Sequence, residues 1–520
     1  MMDLESHTEL KESALPPATA PLRIAYVSSE VAPFAKTGGL GDVVGALPRA
    51  VADLGHRCAV FLPLYRSARE AHLSLEATDI SVVVPIAGQK LSGRIWRSRL
   101  PSSAVPVYLL DNSEYFERDD PAAGHGLYQY RLPNGRMRDY ADNCQRFIFF
   151  NRAVLEALPQ LGFWPDVLHC NDWQTGLMPA YVRELYSAQD PRYAAIRTLY
   201  TIHNLAYQGV FWHWDMTLTG LDWRLFNWQQ LEFYGKLNLM KAGIVFADMV
   251  STVSAKYAQE IQTAEHGCGL EEVLRHYRHK LVGIINGVDY TDWNPATDKR
   301  LPAQYDADTV VEGKARCKAA LQVRLGLPVR AQTPLIGMIT RLVEQKGLDL
   351  LALAAPQLLE ENLQLVILGT GDAIYHELCR RLIHRSPQKV AAVLKFDEAL
   401  AHQIEAGADM FLMPSRFEPA GLNQLYSLKY GTVPIVRCTG GLSDTVTDAN
   451  AQTLASGTAT GFVFKDYTAA ALLQAVRRAL TAFNDEKTWR QLQRTGMLQD
   501  WSWQRRAVEY EALYRRLAAG

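Results

Sequence analysis

Residues 24–65 read "IAYVSSEVAPFAKTGGLGDVVGALPRAVADLGHRCAVFLPLY". The run from Ile24 to Ser29 reads as a strand. The glycine-rich Lys36-Thr37-Gly38-Gly39-Leu40-Gly41-Asp42 turns out of it, "DVVGALPRAVADLG" follows with helical character, and "CAVFLPLY" is a second strand. Strand, turn, helix and strand open a βαβ unit, the building block of parallel sheets with helices on both faces. Farther on, "DVLHC", the helical "TGLMPAYVRELY" and the strand "IRTLYTIHN" continue the alternation.

The series restarts at Leu335. "LIGMIT" is a strand, "GLDLLALAAPQLLE" a helix, and "LQLVILGTG" and "VAAVLKF" are strands. "DEALAHQIEAGA" is a helix, "MFLMPS" a strand, "GLNQLYSLKYG" a helix and "VPIVR" a strand. Two such series predict an α/β protein of two doubly wound domains, over residues 22–282 and 283–497, with a final helical segment over 498–520 that returns to the first domain. Residues 1–21, polar and acidic, are expected to be a disordered extension. Ligands of such sheets bind beyond the carboxyl ends of the strands, so the cleft between the domains is the expected site.

Bulk composition narrows the partners. Lys and Arg number 54 against 55 for Asp and Glu, which offers no basic excess for nucleic acid or an anionic membrane. The 7 cysteines are scattered and never spaced C-x-x-C, which argues against a disulfide framework or a zinc site and for a reducing compartment. The N-terminal stretch has no apolar core of signal-peptide type, and no apolar run reaches membrane-spanning length, so a cytoplasmic location is expected.

The chemistry-bearing residues cluster at strand ends. In the first loop, Gly38 and Gly39 let the backbone approach a phosphate closely, and Lys36 adds a full charge beside Asp42. Taken alone, this is equally a tight strand-to-helix turn. A near copy, Thr439-Gly440-Gly441-Leu442, follows "VPIVR", and one such loop in each domain suggests two backbones converging on one ligand. Arg341 and Lys346 follow "LIGMIT" and could clamp a diphosphate, although a solvated loop paired with Glu344 explains them as well. Glu418 follows "MFLMPS"; beyond it, Gly421, Leu422 and Asn423 open a helix whose amides would face an anion. Asp172 and His203 each end a strand of the first domain.

Together these stretches resemble the bacterial glycogen synthase and plant starch synthase family. The resemblance rests on "KTGGLGDVVGALP", "DYADN", "HCNDWQTGL", "TIHNLAYQG", "INGVDYTDWNP", "TRLVEQKGLD", "PSRFEPAGLNQLYSLKYG" and "TGGLSDTV", in order from about residue 23 to 470. It implies the GT-B fold, two Rossmann-like domains separated by a deep cleft. It also implies ADP-glucose as donor, an α-1,4-glucan as acceptor, retention of configuration, and neither metal nor cofactor. By the same resemblance Lys36 lies near the donor phosphates and Asp172 and His203 around the transferred glucose. Asn286 matches the family's Asn-Gly-x-Asp asparagine, Arg341 and Lys346 the diphosphate-binding pair, and Glu418 the essential acid. Phe396 stands where relatives stack a Tyr on the nucleobase. Asn171 and Gln174 stand where relatives often carry histidines, Ala420 where some carry Cys, and Asn423 where Thr is frequent.

One well-positioned carboxylate, rather than the pair about 5–5.5 Å apart used by retaining hydrolases, fits front-face transfer without a covalent intermediate. Three alternatives compete. A UDP-glucose-dependent enzyme of the same fold would lack the paired TGGL loops. A catalytically dead glucan-binding homologue would have lost Glu418 or Lys346. A phosphorylase would need a pyridoxal phosphate motif, and none is found. Oligomeric state is not legible.

Overall fold

The computed structural model describes residues 20–133 and 135–519. The expected extension over 1–21 lies, but for its last two residues, outside the described residues. Two sheets organise the chain. The first has nine strands in the order Leu281–Gly283, Met249–Thr252, Arg197–Ile202, Val167–Asn171, Arg23–Val27, Arg57–Pro63, Pro106–Asp111, Gln89–Arg99 and Glu76–Ile86. Its first seven strands pair in parallel, and the last two add an antiparallel hairpin at one edge. Buried and exposed residues alternate along much of the hairpin because only one of its faces is covered. The second sheet has six parallel strands in the order Val390–Val393, Gln364–Leu368, Leu335–Ile339, Met410–Met413, Val433–Arg437 and Phe462–Phe464.

Side chains on the central strand alternate between two cores, as a period of two requires. Ala25 and Val27 face one core with the helix Asn143–Leu161, which brings Phe147 and Phe150. Ile24 and Tyr26 face the other, formed with the helix Gly39–Asp53 and with Trp503, Tyr510 and Tyr514 of the last helix, Trp503–Ala518. That last helix is also hydrogen-bonded in: the Tyr514 hydroxyl lies 3.1 Å from that of Tyr26 and 2.9 Å from His169 Nδ1. The chain therefore leaves the first domain and comes back to it.

The two domains touch through specific groups. Arg49 pairs with Asp289 at 2.5 Å. Ser254 Oγ donates to Asp444 at 2.7 Å, and the Lys256 amide donates to the same carboxylate at 3.0 Å. Gly39 of the first domain approaches Leu422 of the second, whose Cδ1 would lie 3.8 Å from a Cβ built on the glycine.

Candidate active site between the domains

Three loops of the second domain converge on Glu418. The segment after Leu335–Ile339 carries Arg341 and Lys346, and it is zipped to the segment after Met410–Met413. The Arg416 amide donates to the Gln345 carbonyl at 2.8 Å, and Gln345 Nε2 to the Phe417 carbonyl at 3.3 Å. The third is the second TGGL loop. Gly440 has φ +43°, and a Cβ there would fall 2.0 Å from the Glu418 carbonyl oxygen, so only glycine allows this approach.

Glu418 is nearly buried. Lys346 Nζ donates to both its oxygens, at 2.9 and 2.6 Å, and Ser415 Oγ donates at 2.9 Å. Arg341 is exposed, and among the described residues no carboxylate pairs with it. The Asn423 side chain donates to the Ile339 carbonyl at 2.6 Å, which ties the start of helix Asn423–Lys429 to the strand end. No described residue accepts from the backbone amides of Leu422 and Asn423. The site thus holds one uncommitted guanidinium, one ammonium paired with an acid, and two free N–H groups at a helix start, a set suited to a polyphosphate.

The first TGGL loop is open. Lys36, Gly38 and Gly39 are exposed, and Lys36 pairs with Asp42 at 2.7 Å. Burial pushes the Asp42 carboxyl up, and Lys36 only partly offsets this. The loop is shaped from below by Glu30, a buried acid that sequence reading passed over. Its carboxylate accepts from the Thr37 amide at 2.5 Å, the Thr37 hydroxyl at 2.6 Å and the Gly38 amide at 3.2 Å.

The second TGGL loop differs. Gly440 and Gly441 are buried, and Glu260 of the first domain accepts from the Gly440 amide at 3.0 Å and from the Thr439 hydroxyl at 3.2 Å. The Gly441 amide donates to the Glu418 and Pro419 carbonyls, each at 3.1 Å. The two loops, expected from the sequence to bring two backbones to one ligand, thus differ in what they present. The second loop shapes the backbone under Glu418 and joins the domains, and a carboxylate already fills its Gly440 donor.

In the first domain Asp172 sits in left-handed backbone at φ 56°, a strained setting for a non-glycine residue. Its Oδ1 accepts from the His203 amide at 2.8 Å, and burial pushes its carboxyl up to about 7. His203 Nε2 lies 2.9 Å from Asn171 Oδ1. Asn171 Nδ2 already donates to the Val27 and His169 carbonyls, so the oxygen faces the imidazole. The His203 Nε2 therefore carries the proton and Nδ1 its lone pair. Burial lowers this histidine to about 3, so it is neutral near pH 7. Asn171 thus orients His203; its one sequence signal was its place beside Asp172.

Asn286 is buried, and its Oδ1 has no partner among the described residues. Phe396 is 82% exposed, which leaves a ring face open. Asp292, Glu398 and His402 bring ligand-type atoms within 4.8 Å of one another, a grouping no local spacing announced. Arg300 already lies 2.9 Å from Asp292 and 3.6 Å from Glu398 and neutralises much of its charge.

Comparison with known proteins follows the same two-part division. A family model described as the starch synthase catalytic domain matches residues 23–276, and one described as glycosyl transferases group 1 matches residues 326–495. The chain is 48% identical to a glycogen synthase of Anaeromyxobacter dehalogenans, covering 96% of this chain and 100% of that protein. It is 46% identical to glycogen synthase 2 of Geobacter sulfurreducens, covering 96% and 99%. A solved structure of the catalytic domain of starch synthase IV from Arabidopsis thaliana, bound to ADP and acarbose, superposes with a TM-score of 0.85 at 35% identity, covering 96% of this chain and 100% of that one. Sucrose-phosphate synthase from Thermosynechococcus elongatus, at 18% identity and a TM-score of 0.57, shares the fold.

Proposed function

The chain belongs to the bacterial glycogen synthase and plant starch synthase family, and from that premise we propose how its cleft transfers glucose. It is a glycosyltransferase of the GT-B fold whose reaction is glucosyl transfer from ADP-glucose to an α-1,4-glucan. The observation that carries the proposal is the set around Glu418: a paired Lys346, an unpaired Arg341 and the free amides of Leu422 and Asn423.

In the transfer, the bond from the glucose anomeric carbon to the diphosphate oxygen breaks, and its electron pair leaves with ADP. Arg341, Lys346 and the two amides stabilise the charge growing on that oxygen. Lys36, on the open loop across from Leu422, adds a cation from the first domain. The glucan hydroxyl attacks from the face the leaving group departs, and its proton passes to the departing phosphate, so configuration is retained. The Glu418 carboxylate, fixed by Lys346 and Ser415, holds the sugar and faces the oxocarbenium-like charge. Neutral His203 can accept a hydroxyl at Nδ1, while Asp172 and Asn286 offer oxygens for other hydroxyls.

The acceptor is the non-reducing end of glycogen or maltodextrin. The enzyme works in the cytoplasm, in keeping with seven free cysteines and with the finding that no helix among the described residues is long and apolar enough to cross a membrane. Incubation with ADP-glucose and maltooligosaccharides tests this reading. ADP release matched by α-1,4 chain extension is the expected outcome; donor hydrolysis without extension would overturn it.

A further inference from the structure

The four exposed tryptophans among the described residues, Trp212, Trp214, Trp223 and Trp228, all fall between residues 212 and 228, although the chain has 11 tryptophans in all. They are 62%, 53%, 43% and 75% exposed. Single exposed apolar residues are ordinary, but a contiguous exposed aromatic face marks a binding surface. Here Trp212, Trp214 and Trp223 are contiguous with one another and with Phe226, and Trp228 follows two residues beyond Phe226. Trp212 and Trp214 lie 6.4 Å apart between centroids, Trp214 and Trp223 5.6 Å, and Trp223 and Phe226 5.6 Å, with His213 between the first two at 5.4 and 5.2 Å.

The backbone beneath this face is braced. Lys241 is buried and donates its Nζ to the Trp228 carbonyl at 2.5 Å and to the Glu232 carbonyl at 2.6 Å. Asn227 Nδ2 donates to the Arg224 carbonyl at 2.7 Å. A buried ammonium spent on two loop carbonyls holds the turn in one shape, so Trp228 is presented to solvent on a fixed support.

The face is also continuous with the cleft. Phe211, next to Trp212, packs at 5.7 Å and a 57° tilt against Trp173, which follows Asp172 in the chain. Its charges are mixed: Asp215, Asp222 and Glu232 stand against Arg224 and Lys236, and Arg224 is paired with Glu184 at 2.6 Å. That balance suits a neutral partner and neither nucleic acid nor an anionic membrane. The apolar faces of glucose rings stack on aromatic side chains, and a glucan repeats such faces along its length.

We infer that Trp212, Trp214, Trp223 and Trp228 form a glucan-docking platform outside the catalytic cleft, which holds a polymeric α-1,4-glucan while its end is extended. The inference rests on the glucan-elongating reading of the cleft. Electrophoretic retardation in native gels containing glycogen tests it, with β-cyclodextrin as a competing probe. The wild type should be retarded and β-cyclodextrin should relieve the retardation. The pair Trp212→Ala and Trp214→Ala should weaken the apparent affinity about tenfold, while kcat on maltotriose with ADP-glucose stays unchanged. Trp228→Ala, at the most exposed of the four rings, should weaken it too and serves if the double variant fails to fold. Unchanged retardation overturns the platform. A parallel fall in maltotriose turnover assigns the rings to the cleft and overturns it. A shift of the wild type to a smaller species on substitution makes the face a contact between copies and overturns it. A wild type with no turnover on any glucan counts instead against the reading of the cleft.

Discussion

Lys346 grips both carboxylate oxygens of Glu418, at 2.9 and 2.6 Å, on a side of the cleft where Arg341 has no carboxylate partner among the described residues. The acid and the ammonium satisfy each other. A diphosphate entering beside Arg341 would compete with Glu418 for the same three N–H donors of Lys346. On the proposed reading of the cleft, donor binding would thereby be coupled to the charge on Glu418.

Glu418→Ala should fold and lose most of its turnover. Removing one preorganised electrostatic partner costs about 2.7–4 kcal/mol of barrier, or roughly 10²–10³ in rate. Steady-state kcat on glycogen, with circular dichroism as a control on folding, is the measurement. Wild-type turnover in a folded variant would refute the role.

Lys346→Met should destabilise the second domain as well as slow the reaction. It leaves a nearly buried carboxylate without its cation, a change worth up to roughly 3–5 kcal/mol when the group is fully enclosed. Adding Glu418→Gln should restore part of that stability, because the orphaned charge is gone. Urea midpoints of the two singles and the double close the cycle. A double variant no more stable than Lys346→Met would show that the pair is not coupled.

Asp172 gives the fold a pH dependence with a definite sign. Its folded carboxyl titrates at about 7, against roughly 3.9 in an unfolded chain. Between those values the native state holds a proton that the unfolded state releases, so the contribution of Asp172 to stability falls as pH rises from about 4 to 7 and is lost above that. Asp172→Asn keeps the acceptor for the His203 amide and removes the titration. Denaturation midpoints at pH 5 and pH 8 should show the variant gaining on the wild type at the higher pH. Parallel behaviour at both would contradict the assignment.

Glucosyl transfer should proceed unchanged in EDTA. In the proposed mechanism Arg341, Lys346 and the Leu422 and Asn423 amides do for the diphosphate what a divalent ion would otherwise do. Loss of activity in the chelator, restored by Mg²⁺, would mean that the cationic side chains are insufficient.

Donor choice must be read at the base, because ADP-glucose and UDP-glucose share the diphosphate and the sugar. Phe396, the residue proposed to stack on it, has an exposed ring. Stacking is worth about 1–3 kcal/mol per base, and only part of that separates a purine from a uracil. The wild type should prefer ADP-glucose in kcat/KM, and Phe396→Ala should narrow the ratio by up to about tenfold without lowering stability. An unchanged ratio would move base recognition elsewhere.

Much of this was legible because it is local. Apolar strand runs, Gly-rich turns and charged loops at strand ends are written within ten or so residues, and these picked out the loops that carry Lys36, Arg341, Lys346 and Glu418, while the family resemblance singled out the four residues. What escaped is non-local. Glu260 and Gly440 are 180 residues apart, and nothing near either signals that the carboxylate of one fills the amide of the other. Cys438 in place of Lys36 already made the two TGGL copies unlike, but only the structure makes one open and the other a clasp. Glu30 was overlooked as one acid in a polar turn, and Asn171 as a mere replacement for histidine, because their work is to orient neighbours.

The closing helix, Trp503–Ala518, sets an order on biosynthesis. Trp503, Tyr510 and Tyr514 complete a core begun by Ile24, Tyr26 and Val43. A ribosome makes the first domain, then the whole of the second, and only after both releases the helix that covers the first domain's apolar face. The first domain is therefore completed after the second, and the nascent chain carries that uncovered surface while the second domain is being made.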